Sequence, residues 1–518
     1  MIKKNNWRIF YPLLLGIYPV VGLVGVNISQ IILLAALRSF LAACIFTLTA
    51  YAVFCWRVRD EDKAALLSAW FFVFFFFYGH FYDFAKGWKL SGLLIGRHLV
   101  IFPLWVLLFG IGGWLIYRRA RDLRQVSWIL NIVSLILVVV PLAEIGISEW
   151  KRGHPVPNLS ITGLTVQGAA ISGIKQLPDV YYIILDDYSR DDILLEYYNL
   201  DISGFIRGLE DTGFYVPRCS ESNYGLTALS LSSTLNMNTV DKIVPEAMKK
   251  GATNTFNEFY SELTDSIKHS LVRKIFEEMG YKTVGFQNDV WWTEWSDADY
   301  YITDKSRPYE MVTNFNKITN FEVLFFRTTV LRIFEEASTK WLGPITKRVV
   351  SPEKQHADLV LLALDELGQV PRSVPGPKFI FAHIISPHDP YVFSPNGEFV
   401  VTTAYDPGYP NQIQYLNKRV LPLMQSIIKN SSTPPVILLM GDHGKDNEVR
   451  NVNFMAVYFP GGGKSVLYPT LTPVNIFRLV LNTYFGQNYL LLPDTSFTSP
   501  AYTSFQFTKI TYPCNANR

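Results

Sequence analysis

Residues 436–444 read VILLMGDHG, an apolar run that ends in a glycine, an acid, an imidazole and a second glycine. A short apolar run bounded by glycine is typical of a buried strand in a parallel sheet. In open α/β sheets, ligands collect beyond the carboxyl ends of the strands, which is where Asp442 and His443 would lie. Asp and Gly are also common turn formers, so this stretch alone allows either a turn or a site.

The sequence around this stretch alternates between strand-like and helix-like segments. Further strand-like runs are VYYIIL (180–185), TVGF (283–286), FIFAHII (379–385) and MAVYF (455–459). Helix-like runs are DSIKHSLVRKIFEEMG (265–280) and TPVNIFRLVLNTYFG (472–486), each ending in the glycine that commonly stops a helix. The alternation predicts an α/β domain from residue 178 onward, with a mainly parallel sheet flanked by helices.

Three of the predicted strands run into carboxylates and imidazoles. The residues concerned are Asp186 and Asp187 after VYYIIL, His383, His388 and Asp389 in and after FIFAHII, and Asp442 and His443 after VILLM. One such ending is compatible with a turn, whereas three in one domain predict a shared metal site. Carboxylate oxygen and imidazole nitrogen together suit Zn²⁺ or Mn²⁺, while carboxylates alone would indicate Mg²⁺ or Ca²⁺.

The stretch SESNYGLTALSLSSTLNM (220–237) leads from small polar residues into a helix-like run. Thr227 lies near the predicted start of that helix, where its hydroxyl can serve as a metal ligand and a nucleophile. Free N–H groups and the helix dipole at this end favour a phosphate-like anion. Taken alone, Thr227 is more simply an N-cap; together with the three strand ends, it is favoured as the nucleophile.

The first 150 residues are dominated by five apolar stretches, at roughly 9–27, 30–55, 65–85, 90–117 and 127–147. Each is long enough for a membrane-spanning helix, which needs about 20 residues, although buried core helices are the alternative. Basic residues cluster in three places: Lys3, Lys4 and Arg8; Arg57, Arg59 and Lys63; and Arg118, Arg119, Arg121 and Arg124. Basic loops stay in the cytoplasm, so we expect a cytoplasmic N-terminus and an extracytoplasmic domain after the fifth span.

Ionisable residues within the predicted spans are Arg38, His80, Asp83, Arg97, His98 and Glu144. Such residues are costly in a membrane and often functional, and we expect Arg97 and His98 to be the best candidates for a lipid headgroup contact. The predicted organisation is a transmembrane domain (1–150), a linker (151–177) and an extracytoplasmic catalytic domain (178–518).

Composition and cysteine content exclude some classes of protein. The formal charge of +3 is too small to indicate a nucleic-acid partner. Four cysteines occur without a CxxC pair, so a cysteine-based zinc site is not predicted. Cys219 and Cys514 would lie in an oxidising compartment, as a disulfide or as two thiols.

The ordered motifs ILDD, NYGLT, HIISPHDPY and GDHG resemble those of the alkaline phosphatase and sulfatase-like superfamily. The resemblance covers roughly residues 178–500. Apolar N-terminal spans followed by an outside catalytic domain are similar to its membrane branch, which includes the lipoteichoic acid synthases and the lipid A phosphoethanolamine transferases.

The resemblance implies a role for each motif residue. Thr227 would form a covalent phospho-threonine, and His388 would contact the substrate or protonate the leaving group. Metal ligands would be Asp186, Asp187, Thr227, Asp442 and His443, with His383 either a further ligand or a strand residue. Asn223 and Arg190 would hold the substrate anion. One divalent metal ion is implied, Zn²⁺ or Mn²⁺, and a second is an open alternative.

The implied activity is transfer of a phospho-alcohol group, such as phosphoglycerol or phosphoethanolamine, in the plasma (inner) membrane. A membrane lipid would be the donor, and an envelope glycan or lipid the acceptor. No C/S-x-P-x-R motif occurs for a formylglycine, which argues against sulfate ester chemistry. The alternatives are a sulfatase-like phosphodiesterase or sulfuric ester hydrolase, and a catalytically inactive membrane scaffold or transporter.

Overall fold

The computed structural model describes residues 9–28, 33–90, 93–153, 177–250, 256–288, 290–303, 318–334, 351–402, 405–445, 448–499 and 504–514. Its helices are α1 (Tyr11–Val26), α2 (Leu37–Val58), α3 (Glu61–Ala85), α4 (His98–Arg119), α5 (Arg124–Gly153), α6 (Asp191–Tyr198), α7 (Ser203–Asp211), α8 (Thr227–Leu235), α9 (Val240–Ile243), α10 (Pro245–Lys250), α11 (Phe256–Lys268), α12 (Leu271–Glu278), α13 (Asn320–Thr328), α14 (Pro352–Leu367), α15 (Val370–Ser373), α16 (Tyr405–Asn430) and α17 (Pro473–Phe485). Its strands are β1 (Lys89–Leu90), β2 (Leu93–Leu94), β3 (Val180–Leu185), β4 (Lys282–Phe286), β5 (Tyr300–Ile302), β6 (Lys378–Ile384), β7 (Tyr391–Phe393), β8 (Phe399–Thr402), β9 (Val436–Met440), β10 (Met455–Tyr458), β11 (Ser496–Thr498) and β12 (Thr508–Ile510).

The chain divides into two compact units. The helical unit comprises Met1–His154 and Lys305–Ser351, and the sheet unit comprises Pro155–Asp304 and Pro352–Arg518. Most of the predicted linker, residues 154–176, lies outside the described residues, as does the basic N-terminal segment 1–8. Helix α5 continues to Gly153, so the first residues of the predicted linker are helical.

Four helices in the described part of the chain are long and apolar enough to cross a membrane, not the five predicted. They cover Leu33–Val58, Glu61–Ala85, His98–Arg119 and Arg124–Ile147. The predicted first span fails on length, because α1 is apolar but has only 16 residues where about 20 are needed.

Helix α1 is nevertheless integrated into the helical unit. The backbone N–H groups of Phe10 and Tyr11 donate to Oδ1 of Asn131 at 3.1 and 2.9 Å, so a side chain of α5 caps its first turn. Tyr11 packs against Ala65 and Ala69 near the start of α3. The beginnings of α1, α3 and α5 therefore lie together, and these three helices run in the same direction.

Residues 305–351 belong to the helical unit, whereas the sequence analysis placed them in the catalytic domain. Within this stretch, Thr319 and Glu322 form a capping box at the start of α13. Glu322 also accepts two hydrogen bonds from Arg38 of α2, at 2.9 and 2.5 Å. Arg332 pairs with Asp83 at the end of α3 at 2.6 Å. These ion pairs tie the segment to the helices, a pairing that no sequence periodicity would reveal.

The ionisable residues of the predicted spans have different surroundings. Besides the paired Arg38 and Asp83, His98 is buried, with its Nδ1 2.7 Å from the hydroxyl of Tyr78. This burial does not favour the headgroup contact predicted for His98. His80 and Glu144 instead line a cavity of about 450 Å³ formed by α1, α3 and α5.

The sheet unit is built on a six-stranded sheet in the order β10-β9-β3-β6-β4-β5. β3 pairs in parallel with both β6 and β9, and only β10 runs antiparallel to its neighbour β9. The predicted mainly parallel α/β architecture is confirmed. All six side chains of β3 are buried, which explains why VYYIIL reads as a continuous apolar run rather than an alternating one.

Two hydrophobic clusters cover the two faces of the sheet. Val180, Tyr182 and Ile184 belong to a cluster that includes residues of α8, α11, α12 and α17. Tyr181, Ile183 and Leu185 belong to another, which includes residues of α6, α7, α14 and α16. Side chains of a strand alternate between the two faces of a sheet, so β3 contributes side chains to both hydrophobic clusters and lies between them.

One helix predicted in the sheet unit is divided in two in the structure. The stretch 265–280 is not one helix but the end of α11 followed by α12, because Ser270 adopts extended backbone and caps α12 by accepting from the N–H of Arg273. Gly486 ends α17 with φ +63°, as its position in the sequence indicated.

Candidate active site

The site lies where three neighbouring parallel strands end. β9, β3 and β6 are adjacent, and Ile184 of β3 is in register with Met440 on one side and His383 on the other. Asp186 follows β3 directly, and Asp442 comes two residues after β9. The carboxyl ends of the strands therefore bring the predicted acids and imidazoles to one edge of the sheet.

Asp186, Asp442 and His443 form a group whose ligand atoms lie within 4.8 Å of one another. All three are almost completely buried. Nε2 of His443 is 3.2 Å from Oδ2 of Asp442. Two carboxylates and one imidazole at this separation are a donor set suited to a divalent ion.

The hydrogen bonding of these residues fits a cation. Oδ1 of Asp186 and Oδ2 of Asp442 are buried oxygens that accept no hydrogen bond in the described part of the chain. A buried carboxylate oxygen without a donor is strongly unfavourable unless a positive charge compensates it. A divalent ion held by Asp186, Asp442 and His443 would supply that compensation.

The electrostatics of the site lead to the same conclusion. Burial, together with the carboxylate of Asp186, raises the pKa of Asp442 above its ordinary value. Burial also opposes the charge on Asp186, but the imidazoles of His388 and His383 outweigh it and lower the pKa of Asp186. Burial alone would lower the pKa of His443, yet Asp442 and Asp187 raise it to about 9. The cluster thus attracts positive charge strongly.

Thr227 is the first residue of α8, and its Oγ1 lies 3.0 Å from Nε2 of His443. Leu226, not Thr227, occupies the N-cap position, so the simpler N-cap role does not hold. Ser230, one turn later, donates to the backbone carbonyl of Asp442 at 2.7 Å. This bond fixes the start of α8 against the β9 loop and holds the Thr227 hydroxyl beside the candidate ligands.

Asp187 is held from several sides. Its Oδ1 is 3.0 Å from Nδ1 of His443, and its backbone N–H donates to Oδ1 of Asp442 at 3.1 Å. The hydroxyl of Tyr409 donates to its carbonyl at 2.6 Å. Its φ of +67° is unusual for a non-glycine residue and is maintained by these contacts.

His383 and His388 occupy different positions. His383 is buried, with Nε2 3.3 Å from Oδ2 of Asp186 and Nδ1 3.0 Å from the hydroxyl of Thr293. It therefore contacts the cluster rather than only filling the strand. His388 is partly exposed, with Nε2 3.8 Å from Oδ2 of Asp187. Although burial lowers the pKa of His388, the carboxylates of Asp186 and Asp187 raise it further, which favours the protonated form.

Arg190 and Asn223 do not join the cluster. Arg190 is 2% exposed, and its guanidinium pairs with Asp192 and donates to the carbonyl of Ser220. Asn223 donates to the carbonyl of Thr495 and accepts from the N–H of Val474. Both side chains hold loops together, and these contacts do not favour the substrate-anion role predicted for them.

Cys219 and Cys514 form a disulfide across 295 residues of sequence. The bond fastens the C-terminal segment beside the loop that leads to α8. Because Cys44 and Cys55 lie in the helical unit, this pairing leaves the sheet unit without a free cysteine.

Three residues near the cluster were missed from the sequence. Lys445 is the first residue after GDHG, and its Nζ lies 2.6 Å from Oδ2 of Asp187. Thr293 orients His383 from the WWTEW stretch, which contains no motif. His356 of α14 has a pKa lowered to about 4 by burial and by the charge of His388. Of the three, only Lys445 could have been noticed in the sequence, because it is a cation two residues after the predicted ligand His443.

No family model matches the chain, and no curated protein matches it significantly. It is similar to the C-terminal periplasmic domain of EcEptC from Escherichia coli at 11% identity, with 64% of this chain and 93% of that chain covered and a TM-score of 0.38. It is similar to the integral membrane lipooligosaccharide phosphoethanolamine transferase A from Neisseria meningitidis at 12% identity, with 92% and 94% covered and a TM-score of 0.35. It is also similar to the lipoteichoic acid synthase LtaP from Listeria monocytogenes at 14% identity, with 63% of this chain and 76% of that chain covered and a TM-score of 0.31. Similarity at this level leaves the activity to be argued from the site.

Proposed function

We propose that the chain is a membrane-anchored, metal-dependent enzyme of the alkaline phosphatase and sulfatase-like superfamily that transfers a phospho-alcohol group through a covalent intermediate on Thr227. One observation carries the proposal. The Thr227 hydroxyl stands at the start of α8, 3.0 Å from His443, beside buried carboxylate oxygens that lack donors. A hydroxyl, a cation site and a helix N-terminus together meet the needs of phosphoryl transfer.

Asp186, Asp442 and His443 would hold a Zn²⁺ or Mn²⁺ ion. Such an ion, when bound, favours the deprotonated hydroxyl and stabilises negative charge on the transferred group. Thr227 Oγ1 forms a bond to phosphorus as the bond from phosphorus to the leaving oxygen breaks. The threonine proton passes to solvent, and His388 gives its proton to the departing alcohol.

The second half of the reaction decides between a transferase and a hydrolase. An acceptor alcohol attacks phosphorus, releases the Thr227 hydroxyl and becomes the phosphorylated product. Water in place of the alcohol gives a phosphodiesterase, the alternative activity. The membrane-embedded character of the helical unit favours transfer to an envelope glycan or lipid.

Phosphorus chemistry is favoured over sulfate ester hydrolysis by the nucleophile position. A formylglycine is derived from cysteine or serine, so the threonine at position 227 cannot be its precursor. The disulfide also removes Cys219, the nearest cysteine in sequence, from consideration. The sulfuric ester hydrolase therefore ranks below both phosphoryl-transfer activities.

The sheet unit is proposed to lie outside the plasma (inner) membrane. Arg57, Arg59 and Lys63 lie around the α2–α3 connection, and four arginines lie around the α4–α5 connection. Both connections are then cytoplasmic, because basic loops stay on that side of the membrane. Helix α5 begins at the second of these connections, so it leads the chain out of the cytoplasm whether or not α1 crosses the membrane. The common direction of α1, α3 and α5 supports a cytoplasmic N-terminus.

A lipid donor is supported by the cavity of about 450 Å³ in the helical unit. Its walls are mainly apolar, but His80 and Glu144 contribute polar groups. The lining residues come from the middle and later parts of α1, α3 and α5, and the ends of these helices lie on the outer side in the proposed orientation. An intramembrane carboxylate is costly, so its presence in a cavity indicates a ligand with a polar head.

Replacing Glu144 by glutamine is expected to reduce turnover of a lipid donor about tenfold, the loss of one charge-assisted hydrogen bond. Turnover of a soluble nitrophenyl phosphodiester should stay within about twofold, because that substrate does not need the cavity. The measurement compares the two substrates, with phosphatidylethanolamine and phosphatidylglycerol each offered in mixed micelles. Asp62→Asn is the matched control, because Asp62 lies at the start of α3, does not line the cavity and accepts a hydrogen bond from Ser127. Equal losses on lipid and soluble substrates would contradict the cavity's role.

The proposed activity is tested by nitrophenol release from a phosphodiester, a phosphomonoester and a sulfate ester, with Zn²⁺ or Mn²⁺ added. The full chain in detergent is the appropriate sample, because residues 305–351 belong to the helical unit. Metal-dependent turnover of the diester is expected. Preference for the sulfate ester would favour the sulfatase alternative, and absence of both turnover and bound metal would favour a scaffold or transporter.

A further inference from the structure

We infer that Gln412 of α16 is a positioning residue for the proton transfer to the leaving alcohol, because it fixes the backbone that carries His388. The inference rests on the proposed function, in which His388 gives its proton to the departing alcohol, and it concerns how that imidazole is held. His388 lies in the connection from β6 to β7, which reads SPHDP over residues 386–390. This connection lies outside the strands, so contacts other than the sheet's own hydrogen bonds have to hold it.

The SPHDP connection has few backbone donors of its own. Two of its five residues are prolines, which have no N–H group. The N–H of His388 donates to the carbonyl of Asp186 at 3.1 Å, which joins the connection to the residue after β3. The carbonyls of Pro387 and His388 need donors from another part of the chain.

Gln412 supplies both donors. Its Nε2 donates to the carbonyl of Pro387 at 3.2 Å and to the carbonyl of His388 at 3.1 Å. Its Oε1 accepts from the N–H of Val392, the middle residue of β7, at 2.7 Å. The side chain is 0% exposed, so water does not compete for these bonds. A fully buried amide with its donors and its acceptor in use holds the backbone on both sides of the imidazole.

Helix α16 is a firm support for these bonds. Tyr409, one turn before Gln412, donates to the carbonyl of Asp187 at 2.6 Å. Ile413 and Leu416 are 0% exposed and belong to the hydrophobic cluster on one face of the sheet. Adjacent turns of α16 therefore hold the segments that follow β3 and β6, and packing against the sheet fixes the helix itself.

The orientation of the His388 ring depends on the same backbone. Its Nδ1 lies 2.6 Å from the carbonyl of Asp389. A carbonyl only accepts, so Nδ1 carries a hydrogen and Nε2 is the nitrogen that gives up a proton. Nε2 faces the site, 3.8 Å from Oδ2 of Asp187. Because the ring is bonded to the backbone of its own connection, a shift of that backbone moves Nε2 with it.

The test compares two phosphodiesters that share the transferred group and differ in the leaving group, which is nitrophenol in one and butanol in the other. Nitrophenolate leaves readily without a proton, whereas butanol has to be protonated as it departs. Gln412→Met removes the three hydrogen bonds and keeps the length of the side chain. Turnover of the butyl ester is expected to fall about 10²-fold, and turnover of the nitrophenyl ester by less than about threefold. Product release is measured by chromatography on the full chain in detergent with Zn²⁺ added.

Two further proteins make the comparison specific to the proton transfer. His388→Ala should show the same preference for the nitrophenyl ester, and adding Gln412→Met to it should cause little further loss, because both changes act on one step. Asn482→Leu is the matched control. Asn482 of α17 bonds both the N–H and the carbonyl of Tyr489, so its amide holds a different loop in a similar way. Turnover of both esters by Asn482→Leu should not change.

Equal losses on the two esters in Gln412→Met would overturn the inference, because a general disturbance of the fold does not distinguish leaving groups. Unchanged turnover of the butyl ester would overturn it as well. If Gln412→Met does not fold, Gln412→Asn keeps an amide that is one methylene shorter and gives the same comparison. A wild-type chain that turns over neither ester, or a His388→Ala chain that keeps wild-type turnover of the butyl ester, would instead mean that the proposed function is wrong.

Discussion

Thr227→Ala is expected to lower phosphodiester turnover by about 10³- to 10⁶-fold, the range for removing a covalent nucleophile. The hydroxyl lies 3.0 Å from Nε2 of His443, and the hydroxyl one turn later in α8, that of Ser230, is already bonded to the carbonyl of Asp442. Bound metal should remain, because Asp186, Asp442 and His443 are unchanged. The measurement is nitrophenol release by the full chain, with metal content determined on the same sample.

Two further variants test whether the turnover lost in Thr227→Ala comes from the missing hydroxyl. Thr227→Ser keeps a hydroxyl and should retain measurable turnover. Thr264→Ala removes a hydroxyl of α11 that donates to the carbonyl of Tyr260, and turnover should not change. Turnover by Thr227→Ala above one tenth of the wild-type rate would be incompatible with a threonine intermediate.

Asp442→Asn is expected to abolish metal binding and yet raise the melting temperature of the metal-free chain at pH 7. Burial and Asp186 raise the pKa of Asp442 in the folded protein. A carboxyl whose pKa is raised by folding destabilises the folded state above its unfolded pKa, and the cost disappears as the group protonates. Asparagine removes the charge, so the gain should be present at pH 7 and vanish at acid pH.

Asp186→Asn is expected to change the melting temperature of the metal-free chain in the opposite direction. Its pKa is lowered on balance, because His388 and His383 outweigh burial, so the charged form stabilises the folded protein. Its replacement should lower the metal-free melting temperature at pH 7. Saturating Zn²⁺ should stabilise wild type, by about 2.7 kcal/mol at one hundred times the dissociation constant, and neither variant. Differential scanning calorimetry checks all three proteins, and a Zn²⁺ response in either variant would contradict the ligand assignment.

Much of the sheet unit could be predicted because its strands are buried on both faces. VYYIIL and VILLM coincide with β3 and β9 residue for residue, since continuous burial leaves no polar positions to obscure the run. The site followed from the same fact. Polar residues that interrupt buried strands at their carboxyl ends must share one edge, and Asp186 and Asp442 do.

What the sequence could not supply were contacts between distant segments. Arg190 was predicted to bind the substrate anion from the family resemblance, but its guanidinium pairs with Asp192, two residues later. Lys445 was overlooked because its partner Asp187 is 258 residues away. The capture of residues 305–351 by the helical unit depends on Arg38 and Asp83, which sequence alone reads as isolated intramembrane charges.

The most direct test of the account is mass spectrometry of the full chain quenched during turnover of a phosphodiester in the presence of Zn²⁺. The account predicts a transient mass increase equal to the transferred phospho-alcohol group, located on Thr227 in the peptide that contains NYGLT. In the Thr227→Ser variant, no residue other than the one at position 227 should carry the group. Steady turnover with Thr227 unmodified at every time point, or with the group on another side chain, would contradict it.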